Sequence, residues 1–248
     1  MELDLLPYAK NVTYVFGGLM LVTIVISLFA PAVGDFERDL QINGLAQSQT
    51  RMTATRTNAE NSQATSFDIA NGATIIGDSV ALRANEQIQA TIDNVSLDAL
   101  VSRNLIDVEG LIKSYSDSNS LAKDVVVAAG VNPINDYQTV LDDIVESLPK
   151  GHHLILVTPY NGNEASNSKS DTVQLRQYEL DLAKKYDFVT VADWYQVARE
   201  NISIWNGTDG IHYGSDSESQ NRGAQLYADT IKDAIAEADK TPVKGGKK

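Results

Sequence analysis

A three-layer α/β/α sandwich on a mostly parallel sheet of about five strands, preceded by one transmembrane helix, is the architecture this sequence predicts. Three observations predict it. From residue 72 onward, short apolar runs alternate with amphipathic stretches, the pattern of a parallel sheet covered by helices on both faces. A charge-free run at 12–33 is long enough to cross a bilayer, whose hydrocarbon core takes about 20 apolar residues as a helix. Between them, residues 35–71 are rich in Gln, Asn, Thr, Ser and Ala and poor in large apolar side chains, too little to form a core of their own.

Composition narrows the chemistry. The chain has 248 residues, room for one α/β domain plus an appendage, and 43% of them are hydrophobic. It has no cysteine, which removes disulfides and thiolate metal sites and fits an exported protein. A net charge of −13 argues against nucleic acid, because phosphate binding needs clustered Lys and Arg.

Taken in order, residues 1–11 read as a cytoplasmic N-terminus and 12–34 as the membrane helix. Lys10 precedes the apolar run and Asp35, Glu37 and Asp39 follow it, so the positive-inside rule places the C-terminal domain outside the cell. Ala30-Pro31-Ala32 has the small residues of a signal-peptidase site. The acidic N-terminus and long apolar run favour a retained anchor over a cleaved signal. Residues 35–71 read as an extracytoplasmic stalk, 72–238 as the folded domain and 239–248 as a basic, disordered tail. Within the domain, strands are expected at 73–76, 95–100, 124–129, 153–158 and 188–192. Helices are expected at 82–92, 101–117, 137–148, 171–186 and 221–236.

The stretch Ala73-Thr74-Ile75-Ile76-Gly77-Asp78-Ser79 runs a buried strand into a turn before a helix. That puts Ser79 at the carboxyl edge of the sheet, where open α/β sheets bind ligands, with its backbone N–H near a helix N-terminus. A serine hydroxyl needs a base, and the base needs an orienting group. Of three histidines, His152 and His153 start a strand at the opposite end of the sheet and read as surface or turn residues. His212 follows Asp209 by three residues, close enough for the carboxylate to hold the imidazole. Alone, Gly-Asp-Ser also suits a helix cap, and Asp-x-x-His a structural histidine. Together, at the two ends of one domain, they read as nucleophile, base and orienter of an acyl-transfer site. Asn132, after the strand at 124–129, lies at the same sheet edge and can donate an uncharged N–H to an oxyanion, although a turn asparagine before proline is also common. The Ser79 N–H and the 101–104 loop are further donors. Trp194 and Tyr160, each at a strand end, are candidates to contact a sugar ring, with packing as the alternative.

The pattern resembles the SGNH hydrolase superfamily, which has a flavodoxin-like fold and carries a Gly-Asp-Ser block, a glycine block, an asparagine block and Asp-x-x-His. Ser79, Asn132, Asp209 and His212 match three blocks, and Ser102 stands where the second usually has glycine. Asp-Gly-Ile-His, Val-Ser-Arg and Thr158-Pro159-Tyr160 look most like the extracytoplasmic domain of Gram-positive peptidoglycan O-acetyltransferases. That resemblance implies an acetyl group taken by Ser79 and passed to the C6 hydroxyl of N-acetylmuramic acid in a glycan strand. His212 would be the base, Asp209 its orienter, and Ser79, Ser102 and Asn132 the oxyanion donors. It implies no metal or bound cofactor, and a multi-spanning membrane acyltransferase as acetyl donor, in the same or a separate chain. A membrane-anchored esterase passing the acyl group to water needs the same residues. A catalytically silent wall-binding module would need neither nucleophile nor base.

Overall fold

The computed structural model describes Phe67 and residues 69–132 and 134–246. The expected membrane helix at 12–34, the N-terminal segment before it and nearly all of the stalk lie outside the described residues. Among the described residues, no helix is long and apolar enough to cross a membrane.

Five strands form one sheet: β1 (Ala73–Gly77), β2 (Val95–Ala99), β3 (Asp124–Ala128), β4 (His153–Val157) and β5 (Val189–Ala192). They pair in the order β2-β1-β3-β4-β5, every pair parallel. Central parallel strands are buried on both faces, which is why β3 and β4 carry the apolar runs Val125–Ala128 and Leu154–Val157. Side chains alternate between faces. Ile76, Val125, Val127, Leu154 and Leu156 enter one core with α3 (Val108–Asp117), α4 (Tyr137–Ser147) and α5 (Asp171–Lys185). The opposite face is covered by α2 (Asn85–Thr91) and α7 (Ser217–Ala238), which pack on each other, with α7 against β5 and β4.

The strand order reverses at β1, whose neighbours are β2 and β3, so the crevice at the carboxyl ends of β1 and β3 is the topological switch point. Gly77 ends β1 opposite both Ala99 and Ala128. A Cβ there would lie 2.4 Å from the Ala81 methyl, so only glycine lets the chain turn straight into helix. Helix α1 (Ser79–Arg83) starts at Ser79 because the Asp78 carboxylate caps it, accepting from the Val80 N–H at 2.9 Å.

Three expectations are corrected. The helix expected at 101–117 begins only at Val108, after a turn in which Ser102 has φ +60 and a 3₁₀ turn, Leu105–Asp107. A further short helix, α6 (Trp194–Glu200), follows β5, capped by Asp193. The basic tail expected from 239 is packed through 246. Gly151 donates to the Lys244 carbonyl at 2.9 Å, Lys244 donates to the His152 carbonyl at 2.9 Å, and the Lys244 ammonium caps the end of α4 through the Val145 and Glu146 carbonyls. Ion-to-carbonyl bonds of this kind at a helix C-terminus answer its unpaired acceptors. At the other boundary, Phe67 and Ile69 pack over Gly151, which has φ +92 and no room for a side chain.

Candidate active site at the sheet switch point

Ser79 Oγ lies 2.8 Å from His212 Nε2, and His212 Nδ1 lies 2.7 Å from Asp209 Oδ2. With a carboxylate accepting at Nδ1, that nitrogen carries the proton and Nε2 is left to accept from the serine hydroxyl. The second oxygen of Asp209 accepts from its own loop, the Ile211 N–H at 2.8 Å and the His212 N–H at 2.7 Å. Partial burial raises the Asp209 pKa, but the bonds from the His212 ring and from these two amides outweigh it and hold the carboxyl below the usual aspartate value. It therefore stays ionised wherever the imidazole is a useful base. The histidine side chain is 36% exposed and the aspartate 55%, so the site is open to solvent.

Residues 133 positions apart meet because helix α1 binds the histidine loop. Arg83, in the last turn of α1, donates to the Tyr213 carbonyl at 2.7 Å and the Gly214 carbonyl at 2.6 Å. The fully buried Tyr213 returns its hydroxyl to the Val80 carbonyl at 3.2 Å. From the other side, the loop after β4 clamps the aspartate turn: Gly162 donates to the Gly210 carbonyl and the Asn163 amide to the Asp209 carbonyl, each at 2.7 Å.

Beneath Ser79, Asp78 is 2% exposed. One oxygen caps α1 and the other accepts from the Val131 N–H at 3.3 Å, tying the serine turn to the loop after β3. Burial pushes its pKa up to about 6 against the pull of the backbone donors and His212.

Asn132 stands at the same edge, one amide N–H given to the Arg103 carbonyl at 2.8 Å. Ser102 is exposed in the left-handed region, φ +60, a conformation that explains why glycine is favoured at such a turn. Arg103 beside it, the arginine of Val-Ser-Arg, has no role assigned from the sequence, yet it connects these pieces. Its guanidinium is 6% exposed, pairs with Asp98 Oδ1 at 2.9 Å and donates to the Gly77 carbonyl at 3.2 Å. The Tyr115 hydroxyl donates to the second Asp98 oxygen. The only hint was an aspartate inside a buried strand, Val-Ser-Leu-Asp-Ala, which needs a partner.

Two sugar-contact candidates are corrected. Trp194 is 2% exposed, packed edge-on to Tyr213 and Tyr227, so it has no face for a ligand. Tyr160, 9% exposed, is held between Tyr195 and Trp205. His152 and His153 are also not surface residues. They are 4% and 2% exposed at the amino edge of the sheet, bonded to the Ala122 carbonyl and to Asp124. Asp124, His153 and Asp239 are the one group among the described residues spaced to hold a metal ion. Lys123 already pairs with Asp239 there, and His153 also bonds the Thr241 carbonyl, so protein neighbours already satisfy the group.

No protein-family model matches the chain. The lipolytic G-D-S-L family protein of Veillonella parvula, 16% identical with TM-score 0.52, covers 67% of this chain and 99% of its own. The fold is that of an SGNH, or G-D-S-L, α/β domain. The C-terminal catalytic domain of Streptococcus pneumoniae peptidoglycan O-acetyltransferase A, solved with a methylsulfonyl adduct, is 44% identical with TM-score 0.68, the match covering 71% of this chain and 98% of that one. Peptidoglycan O-acetyltransferase OatA of Listeria monocytogenes is 28% identical over 172 residues, 68% of this chain. The chain spans about a quarter of that relative's length, 25%. The chain belongs to the family of peptidoglycan O-acetyltransferase C-terminal catalytic domains.

Proposed function

We propose that this domain is a serine O-acetyltransferase that acts on cell-wall glycan from outside the membrane. The observation that carries the reading is the continuous hydrogen-bonded chain Ser79–His212–Asp209, at 2.8 and 2.7 Å. Ser79 Oγ attacks the donor's acetyl carbonyl as its proton passes to His212 Nε2, and Asp209 stabilises the imidazolium that forms. The oxyanion is met by the Ser79 N–H, free as one of the first amides of α1, by the Asn132 amide and by the Ser102 N–H. Collapse expels the donor's alcohol, which takes the proton from His212, and leaves acetyl-Ser79. The C6 hydroxyl of N-acetylmuramic acid then gives its proton to His212 and attacks. The serine departs with that proton and the sugar keeps the acetyl group. No step calls for a metal or bound cofactor.

Likeness to the streptococcal domain supports transfer to peptidoglycan. In this reading residues 12–34 anchor the chain, 35–71 hold the domain off the membrane, and a multi-spanning acyltransferase supplies the acetyl group. A second reading, an esterase releasing the acyl group to water, is favoured by the exposure of His212 and Asp209. The test is to incubate the full chain with an activated acetyl ester, with and without a muropeptide acceptor, beside Ser79→Ala. Acetylated sugar that disappears in the variant supports transfer. Free acetate unchanged by acceptor supports the esterase, and no turnover at all would sink both.

A further inference from the structure

Next to the Asn132 turn lies a pocket that holds one buried hydroxyl with no partner. It is floored by Gly130, Val131 and Asn132 and walled by Leu105, Ile134 and Tyr137 on one side and by Asn161, Glu164, and the first turn of α5 on the other. Its empty volume is about 480 Å³ when the open mouth is counted. Two of its sides belong to the machinery already described: Asn132, and the 161–163 loop that clamps Asp209 and Gly210. A molecule in it therefore touches Asn132, one of the expected oxyanion donors.

The lining defines the ligand. Thr172, 6% exposed, has a buried hydroxyl with no hydrogen-bond partner, an orphan that a bound group would satisfy. Glu164 and Asp171 place two carboxylates in the lining, and no Lys, Arg or His lines the pocket to balance them. Neither carboxylate is in an ion pair among the described residues. Carboxylates accept only, so they call for donors, and a cationic donor is held more strongly than a neutral one. A ligand carboxylate, such as the lactyl group of a muramyl residue, would be repelled. The apolar wall of Leu105, Ile134 and Leu175 suits the C–H face of a sugar ring.

We propose that this pocket is an acceptor subsite for the hexosamine unit adjacent to the acetylated sugar, and that it favours a free amine over an acetamido group at that unit. The assignment as an acceptor subsite rests on the transferase reading, but binding can be measured without turnover. The full chain carrying Ser79→Ala would be titrated by calorimetry with a chitooligosaccharide and with its de-N-acetylated counterpart, at a mildly acidic pH that keeps the amine charged. The deacetylated oligomer is expected to bind about tenfold tighter, an advantage that shrinks with added salt. Adding Glu164→Gln and Asp171→Asn should bring the two ligands within about twofold. If thermal unfolding shows that pair to be misfolded, Glu164→Gln alone should still reduce the preference. Equal binding by both oligomers, or a preference that survives the substitutions, would overturn the proposal. An amine preference in a chain that acetylates no glycan would keep the pocket's chemistry and discard the transferase reading. Acetylation without the preference would do the reverse.

Discussion

Asp209 orients His212 through one oxygen and holds its own turn through the other, so its charge matters more than its size. Asp209→Asn should leave the fold intact and lower kcat by about 10³–10⁴-fold, the scale found when the orienting aspartate of a serine protease is neutralised. A fall below about tenfold in a burst-phase assay would show that another group orients the base. Asp78 makes a pH prediction. Its carboxyl, raised from 3.8 to about 6 by burial, binds its proton more tightly folded than unfolded. Its contribution to stability is thus fully present below 3.8 and lost as pH rises through about 6. Carbon NMR of the Asp78 carboxyl should show a midpoint near the raised value, and a midpoint at the ordinary aspartate value would contradict the buried geometry. At Arg103 the pair with Asp98 is buried, and removing one member strands the other. Arg103→Met should destabilise by about 3–5 kcal/mol and lower kcat by loosening the Gly77 carbonyl and Asn132. Adding Asp98→Leu should restore much of the stability but not kcat, as read from urea unfolding beside turnover.

At the scale of elements, the central strands were legible because parallel strands buried on both faces leave near-continuous apolar runs, while β2 was a weaker signal because Ser96 and Asp98 interrupt it. The meeting of Ser79 with His212 was legible for a different reason. Gly-Asp-Ser and Asp-x-x-His are local motifs, and the fold class fixes which edge of the sheet they occupy. The Asp98–Arg103–Tyr115 network was not legible, since its members sit on a strand, a turn and a helix and nothing local links them. Trp194 could be read either way because a large aromatic after a strand, though more often packing, can also meet a ligand, and the rings of Tyr213 and Tyr227 decide for packing. The same aromatic cluster explains Gly223 in α7, where a Cβ would fall 2.4 Å from the Tyr213 ring. Gly223→Ala should cost about 1–3 kcal/mol by overpacking and raise the mobility of the His212 loop, observable as faster amide exchange at Ile211 and His212. Unchanged exchange would mean that Arg83 and the Gly162–Asn163 clamp hold the loop without help from the Tyr213 ring.

Across the whole molecule, the two edges of one sheet do different work. The carboxyl edge gathers Ser79, Asn132, Asp209 and His212. At the amino edge, two buried histidines, Asp124 and the returning segment 241–246 close the domain. Deleting residues 241–248 should lower stability by about 1–4 kcal/mol through the lost backbone bonds. It should leave kcat unchanged at temperatures below the transition, because that edge is remote from the serine. The central claim is that Ser79 carries the acetyl group between donor and sugar. It is tested most directly by quenching the full chain with an activated acetyl ester and mapping the adduct by peptide mass spectrometry, before and after glycan acceptor is added. The account predicts one acetyl group on the peptide containing Ser79, discharged by acceptor as acetylated sugar appears and absent in His212→Ala. Acetylated sugar formed with Ser79 never labelled would contradict it.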